Sequence, residues 1–301
     1  VSIGAVSIAV FMSQFGRVPI MAYALLSTNS KLEKIPAVSD RFIVQGLTLA
    51  PAAMSGKNVC PHKGYCEQDC VLAYAGRMND PKVRAAQVRR TKWFFENRRS
   101  FLDALHADLD KLCREASAAD AIPVVRFNVA SDIVWERVAP SLFTDHPTLV
   151  AYDYTKFPTD KRATLPANYE LVHSVSERMT FADASAAIAA GRNIVAVFDS
   201  TYKPAKPNGI GGYGMFGALP ATVEVRGPRG QSITLETFDA DIHDVRLTRL
   251  DGRGMLGALR GKGGAARVAN MLANGFAHSF PAGRDESPAK TRAGHALIML
   301  G

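Results

Sequence analysis

The 301 residues are 47% hydrophobic and 21% charged, with four cysteines, a net charge of +8 and a pI of about 9.4. This excludes a disulfide scaffold and a disordered chain, and leaves ample length for a large core. The basic balance admits an acidic partner such as nucleic acid without requiring one.

The run from Val1 to Phe11 is apolar, but it lacks a basic leader, and Arg17 interrupts it before membrane-spanning length. It predicts an N-terminal extension over residues 1–25, with Met12 and Met21 as candidate starts, then a single α/β domain over 26–301. No membrane partner is expected, and the cysteine usage points to a reducing cytoplasm, where clustered thiols mean metal or redox chemistry.

"RFIVQGLTLAP" (Arg41 to Pro51) predicts a buried strand that runs into "NVCPHKGYCEQDC". Cys60, Cys66 and Cys70 stand there as C-x5-C-x3-C. Three thiolates on one short loop can converge on a metal without long-range folding. Zinc would need a fourth ligand, and the two at hand are awkward: His62 is one residue from Cys60, and Cys113 sits in the helical pattern "DLDKLCREA". We read Cys113 as a packing residue. An iron–sulfur cluster fits three cysteines better and leaves one iron open to His62, Glu67, Asp69 or an outside ligand. Structural zinc and a redox disulfide remain the alternatives.

Asp80-Pro81 is a helix start, with an N-cap and a proline at the first helical position. Phe94, Phe101, Leu105, Leu109 and Leu112 follow at helical spacing, which predicts one or two helices over about 80–118. From Arg77 to Arg99 eight basic residues face only Asp80 and Glu96. Arg84, Arg89 and Lys92 are the candidate nucleic-acid contacts; a solvated helix face is the plain alternative.

"PVVRFNVASD", "TLVAYDYTK", "YELVHSVSE" and "NIVAVFDS" predict short strands, with a weak helix at "WERVAPSLF" and another at "TFADASAAIAAG", closed by Gly191. The alternation implies parallel pairing with both faces covered. In such sheets the site lies at the carboxyl ends of the strands. Asn128, Ser131 and Asp132 stand at those ends, as do Asp153, Tyr154, Thr155 and Lys156, then Ser174, Ser176 and Glu177, then Asp199. Asp132 and Lys156 are the foremost, each a charge directly after an apolar run. A Gly/Pro-rich insertion follows at about 203–217, then a hairpin about Gly227 to Gly230. "DADIHDVR" loosely suggests a hard-cation loop, with salt bridges to "LRGKGGAAR" as its alternative.

"LTLAPAAMSGKNVCPHKGYCEQDCVLAYAGRM", "RFNVASDIVWE", "AYDYTKFP", "HSVSE" and "DADIHDVRL" together resemble the phage gene product 88 family, from about Ser27 to Phe280. That resemblance implies a phage source and an infected bacterial host. A second likeness is to the radical SAM superfamily, where three cysteines after the first barrel strand hold a [4Fe-4S] cluster and S-adenosylmethionine chelates the open iron. There the cysteines are spaced C-x3-C-x2-C with an aromatic residue before the last; here the spacing is longer and Asp69 takes that place. The likeness implies an α/β fold of partial (β/α) barrel type with an iron–sulfur loop after the first strand. It makes Asn128, Ser131, Asp132, Ser174 and Ser176 candidate cofactor contacts. Asp132, Lys156 and Glu177 become candidate catalytic residues. The rival expectation is a non-enzymatic nucleic-acid-binding protein with a structural zinc site.

Overall fold

The computed structural model describes residues 24–67, 70, 80–198, 221–260 and 295–299. Among the described residues ten strands form one sheet in the order β1-β2-β3-β4-β5-β6-β9-β8-β7-β10. They are β1 (Leu26–Ser27), β2 (Phe42–Leu47), β3 (Ile122–Arg126), β4 (Val150–Thr155), β5 (Tyr169–Ser174), β6 (Ile194–Phe198), β7 (Thr222–Arg226), β8 (Ser232–Asp239), β9 (Leu256–Arg260) and β10 (His295–Met299). The helices are α1 (Pro81–Glu96), α2 (Arg98–Ala118), the single turns α3 (Trp135–Val138) and α4 (Ser141–Thr144), α5 (Phe181–Ala189) and α6 (Thr248–Asp251).

The helix pair is where the periodicity placed it. The Asp80 side chain accepts from the Lys82 N–H, Pro81 fills the first turn, and α1 ends at Asn97, which then caps α2. Thr180 and Asp183 form a reciprocal capping box on α5. Gly191 follows that helix with φ of +70°, a conformation that costs glycine little.

Strands β2 to β6 are parallel neighbours in chain order. Apolar residues of α2 pack on Val125, Ala151, Tyr169 and Leu171, and Ala184 and Ala187 of α5 pack on Ile194 and Ala196. These strand residues share one face by register. The helices therefore lie on that face, as in a (β/α) barrel wall. The sheet is mixed α/β, as the expected α/β class requires, and it does not close into a barrel. The neighbour of β6 is β9 rather than β7. The predicted hairpin, β7 with β8, pairs antiparallel and extends the sheet outward to β10. At the other end the two-residue β1 pairs antiparallel with β2.

The opposite face is covered by other means. Leu32 from the turn before β2, and Val245 and Leu247 from the β8–β9 connection, pack on Phe42, Val44, Val124 and Tyr152. Gly46 is needed here: a Cβ would lie 2.5 Å from Val129 Cγ2 and 2.8 Å from Leu32 Cδ1. Leu25, at the boundary of the expected extension, is fully buried, and its N–H donates to Asp108 Oδ2. The Gly/Pro-rich insertion, Asp69, Asp199 and most of "LRGKGGAAR" lie outside the described residues. Among the described residues no helix is long and apolar enough to cross a membrane.

Candidate functional site

A cavity of about 250 Å³ opens at the carboxyl ends of the parallel strands. The β3 end supplies Arg126 and the run Asn128 to Asp132; β4 supplies Tyr154, Thr155 and Lys156; β5 supplies Ser174 and Val175. Val195 and Val197 of β6 and Leu259 of β9 make an apolar wall. Cys60, His62, Lys63, Glu67 and Cys70 of the cysteine loop border the same space.

The loop is tied to the sheet by its backbone. The Asp132 N–H donates to the Val59 carbonyl at 2.8 Å, and Cys60 Sγ donates to the Ala130 carbonyl at 3.6 Å. Gly64 has φ of +49°, and a Cβ there would lie 1.5 Å from Glu177 Oε1. Glycine at this position lets the loop lie directly on the Glu177 carboxylate. The His62 ring packs on Phe157 with centroids 4.2 Å apart. Cys66 falls in the turn Gly64–Glu67, but its side chain is outside the described residues. Among the described residues no group of three His, Cys, Asp or Glu side chains is placed to hold a metal. That finding covers the hard-cation reading of "DADIHDVR": Asp244 is engaged by Arg126 and Lys31 instead.

The structure sorts the strand-end candidates. Asn128 is a hub whose carboxamide is fully committed. Its Oδ1 accepts from Ser131 Oγ, the Ile133 N–H and Trp135 Nε1. Its Nδ2 donates to the Ile133 carbonyl and Asp153 Oδ2. Asp132 is buried; its Oδ2 accepts from the Lys156 N–H at 2.8 Å, while Oδ1 makes no hydrogen bond and lies 3.6 Å from Arg162 Nη1. Burial pushes its carboxyl up, against the pull of that N–H and of Arg162. Ser174 borders the cavity, whereas Glu177 and the buried Ser176 are not in its lining. Cys113 packs against the hydrophobic core from α2, and burial raises its thiol pKa.

Two arginine networks stand behind these residues, and sequence reasoning missed both. On the helical face Arg162 is fully buried and grips Glu136 through two bonds of 2.6 and 2.7 Å, with Thr155 Oγ1 and Tyr169 OH at 3.2 Å. Tyr169 OH in turn donates to Asp153, whose carboxyl burial pushes up to about 7. On the opposite face Arg126 Nη1 donates to Asp244, as does Tyr152 OH, and Lys31 Nζ is 3.2 Å from the same carboxylate. Burial would raise the Asp244 pKa, but Arg126 and Lys31 outweigh it and hold it at about 2. One signal for Arg126 was present: a charge inside the apolar run "PVVRFNV".

On α1, Arg89 and Lys92 are exposed and one turn apart, while Arg84 is half-buried. A family model described as Gene product 88 matches residues 23–274 of the chain. No curated protein and no solved structure matches it significantly.

Proposed function

The chain belongs to the phage gene product 88 family, and from that premise we propose that it is an iron–sulfur protein. Its cluster would be carried by Cys60, Cys66 and Cys70 at the mouth of the cavity. The observation that carries this reading is that Cys60 and Cys70, ten positions apart, border one space together with Asp132 and Lys156. The residues fit the group in kind: thiol donors on a loop fixed to the strand ends, beside a cavity with an apolar wall. A cuboidal cluster on three thiolates, once bound, supplies one iron without a protein ligand.

The finer form of the proposal is radical SAM-like chemistry on a partial (β/α) barrel in the cytoplasm of the infected host, with S-adenosylmethionine as the cofactor. Ser131, Asp132, Lys156 and Ser174 are then the residues of this chain that face the ligand. Asn128 holds the loop that carries Ser131 and Asp132, and Glu177 supports the cysteine loop from beneath Gly64. The test is iron and acid-labile sulfide content of anaerobically purified protein, in the wild type and in Cys60→Ala, Cys66→Ala, Cys70→Ala and Cys113→Ala. Loss of both from the first three variants and not from the fourth is expected. Stoichiometric zinc without sulfide would overturn the cluster. Adding S-adenosylmethionine to reduced protein while following its EPR signal and 5′-deoxyadenosine release tests the finer form.

The exposed pair Arg89 and Lys92 favours a second reading, a nucleic-acid-binding protein with a structural zinc site. It predicts salt-sensitive DNA or RNA binding without turnover.

A further inference from the structure

The face of the sheet opposite the helices forms the floor of the cavity, and it carries more positive charge than its carboxylate answers. Arg126 is 6% exposed and lines the cavity; Lys31 also lines it, with its side chain 53% exposed. Both lean on the single carboxylate of Asp244. Only Nη1 of the guanidinium is engaged among the described residues, by the two Asp244 oxygens at 3.1 and 2.9 Å. Among the described residues neither the buried Nε–H nor the buried Tyr154 hydroxyl has a hydrogen-bond partner. The Tyr154 ring lies against both cations, 4.6 Å from Arg126 Cζ and 5.6 Å from Lys31 Nζ. The other buried carboxylate of the lining, Asp132, accepts from the Lys156 N–H through Oδ2 and has Oδ1 3.6 Å from Arg162 Nη1.

We propose that Arg126, Lys31 and Tyr154 form an anion subsite, which takes the carboxylate or phosphate of a small organic molecule whose apolar body lies along Val195, Val197 and Leu259. Arg126 lines the cavity with Nη2 making no hydrogen bond among the described residues, and a guanidinium donates to the oxygens of either anion. Two cations on one carboxylate leave the floor one positive charge in excess, and a low-polarity wall strengthens its pull on an anion. The inference rests on reading this cavity as the functional site and is independent of the cluster.

Calorimetric titration of the full chain with hexanoate, hexyl phosphate, hexanol and hexylamine tests it, in the wild type, Lys31→Gln and Tyr154→Phe. Both variants leave the Arg126–Asp244 pair in place. At least one of the two anions should bind saturably and the alcohol and amine should not, with the tighter anion naming the head group. Lys31→Gln should weaken binding by about tenfold, the loss of one charge-assisted contact, and Tyr154→Phe by less. Hexanol bound as tightly as the anions, or binding unchanged in Lys31→Gln, overturns the subsite. Iron content measured on the same samples separates the two readings. Anion binding by iron-free protein supports the subsite alone, and iron-loaded protein that ignores both anions overturns the subsite alone.

Discussion

Arg162 and Arg126 are both buried arginines at the carboxyl end of one sheet, on opposite faces. Arg162 has its guanidinium spread over Glu136, Thr155 and Tyr169. Arg126 lines the cavity and, among the described residues, has one nitrogen engaged. The difference separates structure from function. A guanidinium engaged through all three nitrogens has little capacity left for a ligand, and this one fastens α3 to the turn Thr159–Arg162. A charge left half-matched next to open space is a recognition element held in reserve.

The largest expected effect comes from breaking the closed network. Glu136→Ala leaves Arg162 buried without its bidentate partner and should cost about 3–5 kcal/mol by urea unfolding. Asp244→Ala should cost less, about 2 kcal/mol, because water entering the cavity can reach the stranded cations. A larger loss for Asp244→Ala would show that the open network is the tighter of the two.

Acid sharpens the comparison. His173, buried near Arg162, is pushed down to about 4 by burial, then by Arg192 and Arg162. Its folded pKa lies below the ordinary value of 6.5, so protonation opposes folding, and stability is lost as pH falls from 6.5 to 4. The loss approaches about 3 kcal/mol. Asp153 and Asp251, both raised to about 7, act with the opposite sign, because their carboxyls bind protons more readily when folded. Two carboxyls outweigh one histidine in this window, so the wild-type profile does not follow the histidine's sign, and its share is read as the difference from His173→Gln. The Asp244 contribution should persist above pH 3.8 and fade only as pH drops toward 2. A His173→Gln profile parallel to wild type between pH 6.5 and 4 would remove this distinction between the faces.

A smaller effect comes from the backbone beneath the open network. Gly46→Ala would put its Cβ 3.3 Å from the Arg126 carbonyl oxygen and against Val129 and Leu32. It should cost about 1–3 kcal/mol, and it should weaken hexanoate binding if the floor shifts with it. The smallest effect belongs to the surface. Arg89→Gln with Lys92→Gln should change stability by less than about 0.5 kcal/mol. If α1 contacts a polyanion, the same pair should flatten the salt dependence of binding.

Much of this architecture was legible in the sequence because it rests on local patterns. The 3.6-residue spacing of Phe101, Leu105, Leu109 and Leu112, the Asp80-Pro81 start and the turn before "QSITLET" each specify structure within a few residues. The strand order near the end was not legible. Nothing in "LGALR" says that β9 slots beside β6, since that contact depends on where the hairpin leaves the sheet. The strand-end rule placed Asp132, Lys156 and Ser174 around one cavity. It could not tell a residue spent on the scaffold, such as Asn128, from one facing the space, because that depends on hydrogen bonds made at a distance. Arg126 and Asp244 are 118 residues apart, and only the folded chain joins them.

That separation has a consequence for biosynthesis. A ribosome adding roughly 5–20 residues per second leaves Arg126 without its counter-ion for about 6–24 s after it is made. The cysteine loop emerges earlier still. The cysteine loop is therefore made while the cavity floor is unfinished, and the β8–β9 connection arrives afterwards to neutralise the arginine and cover that face of the sheet.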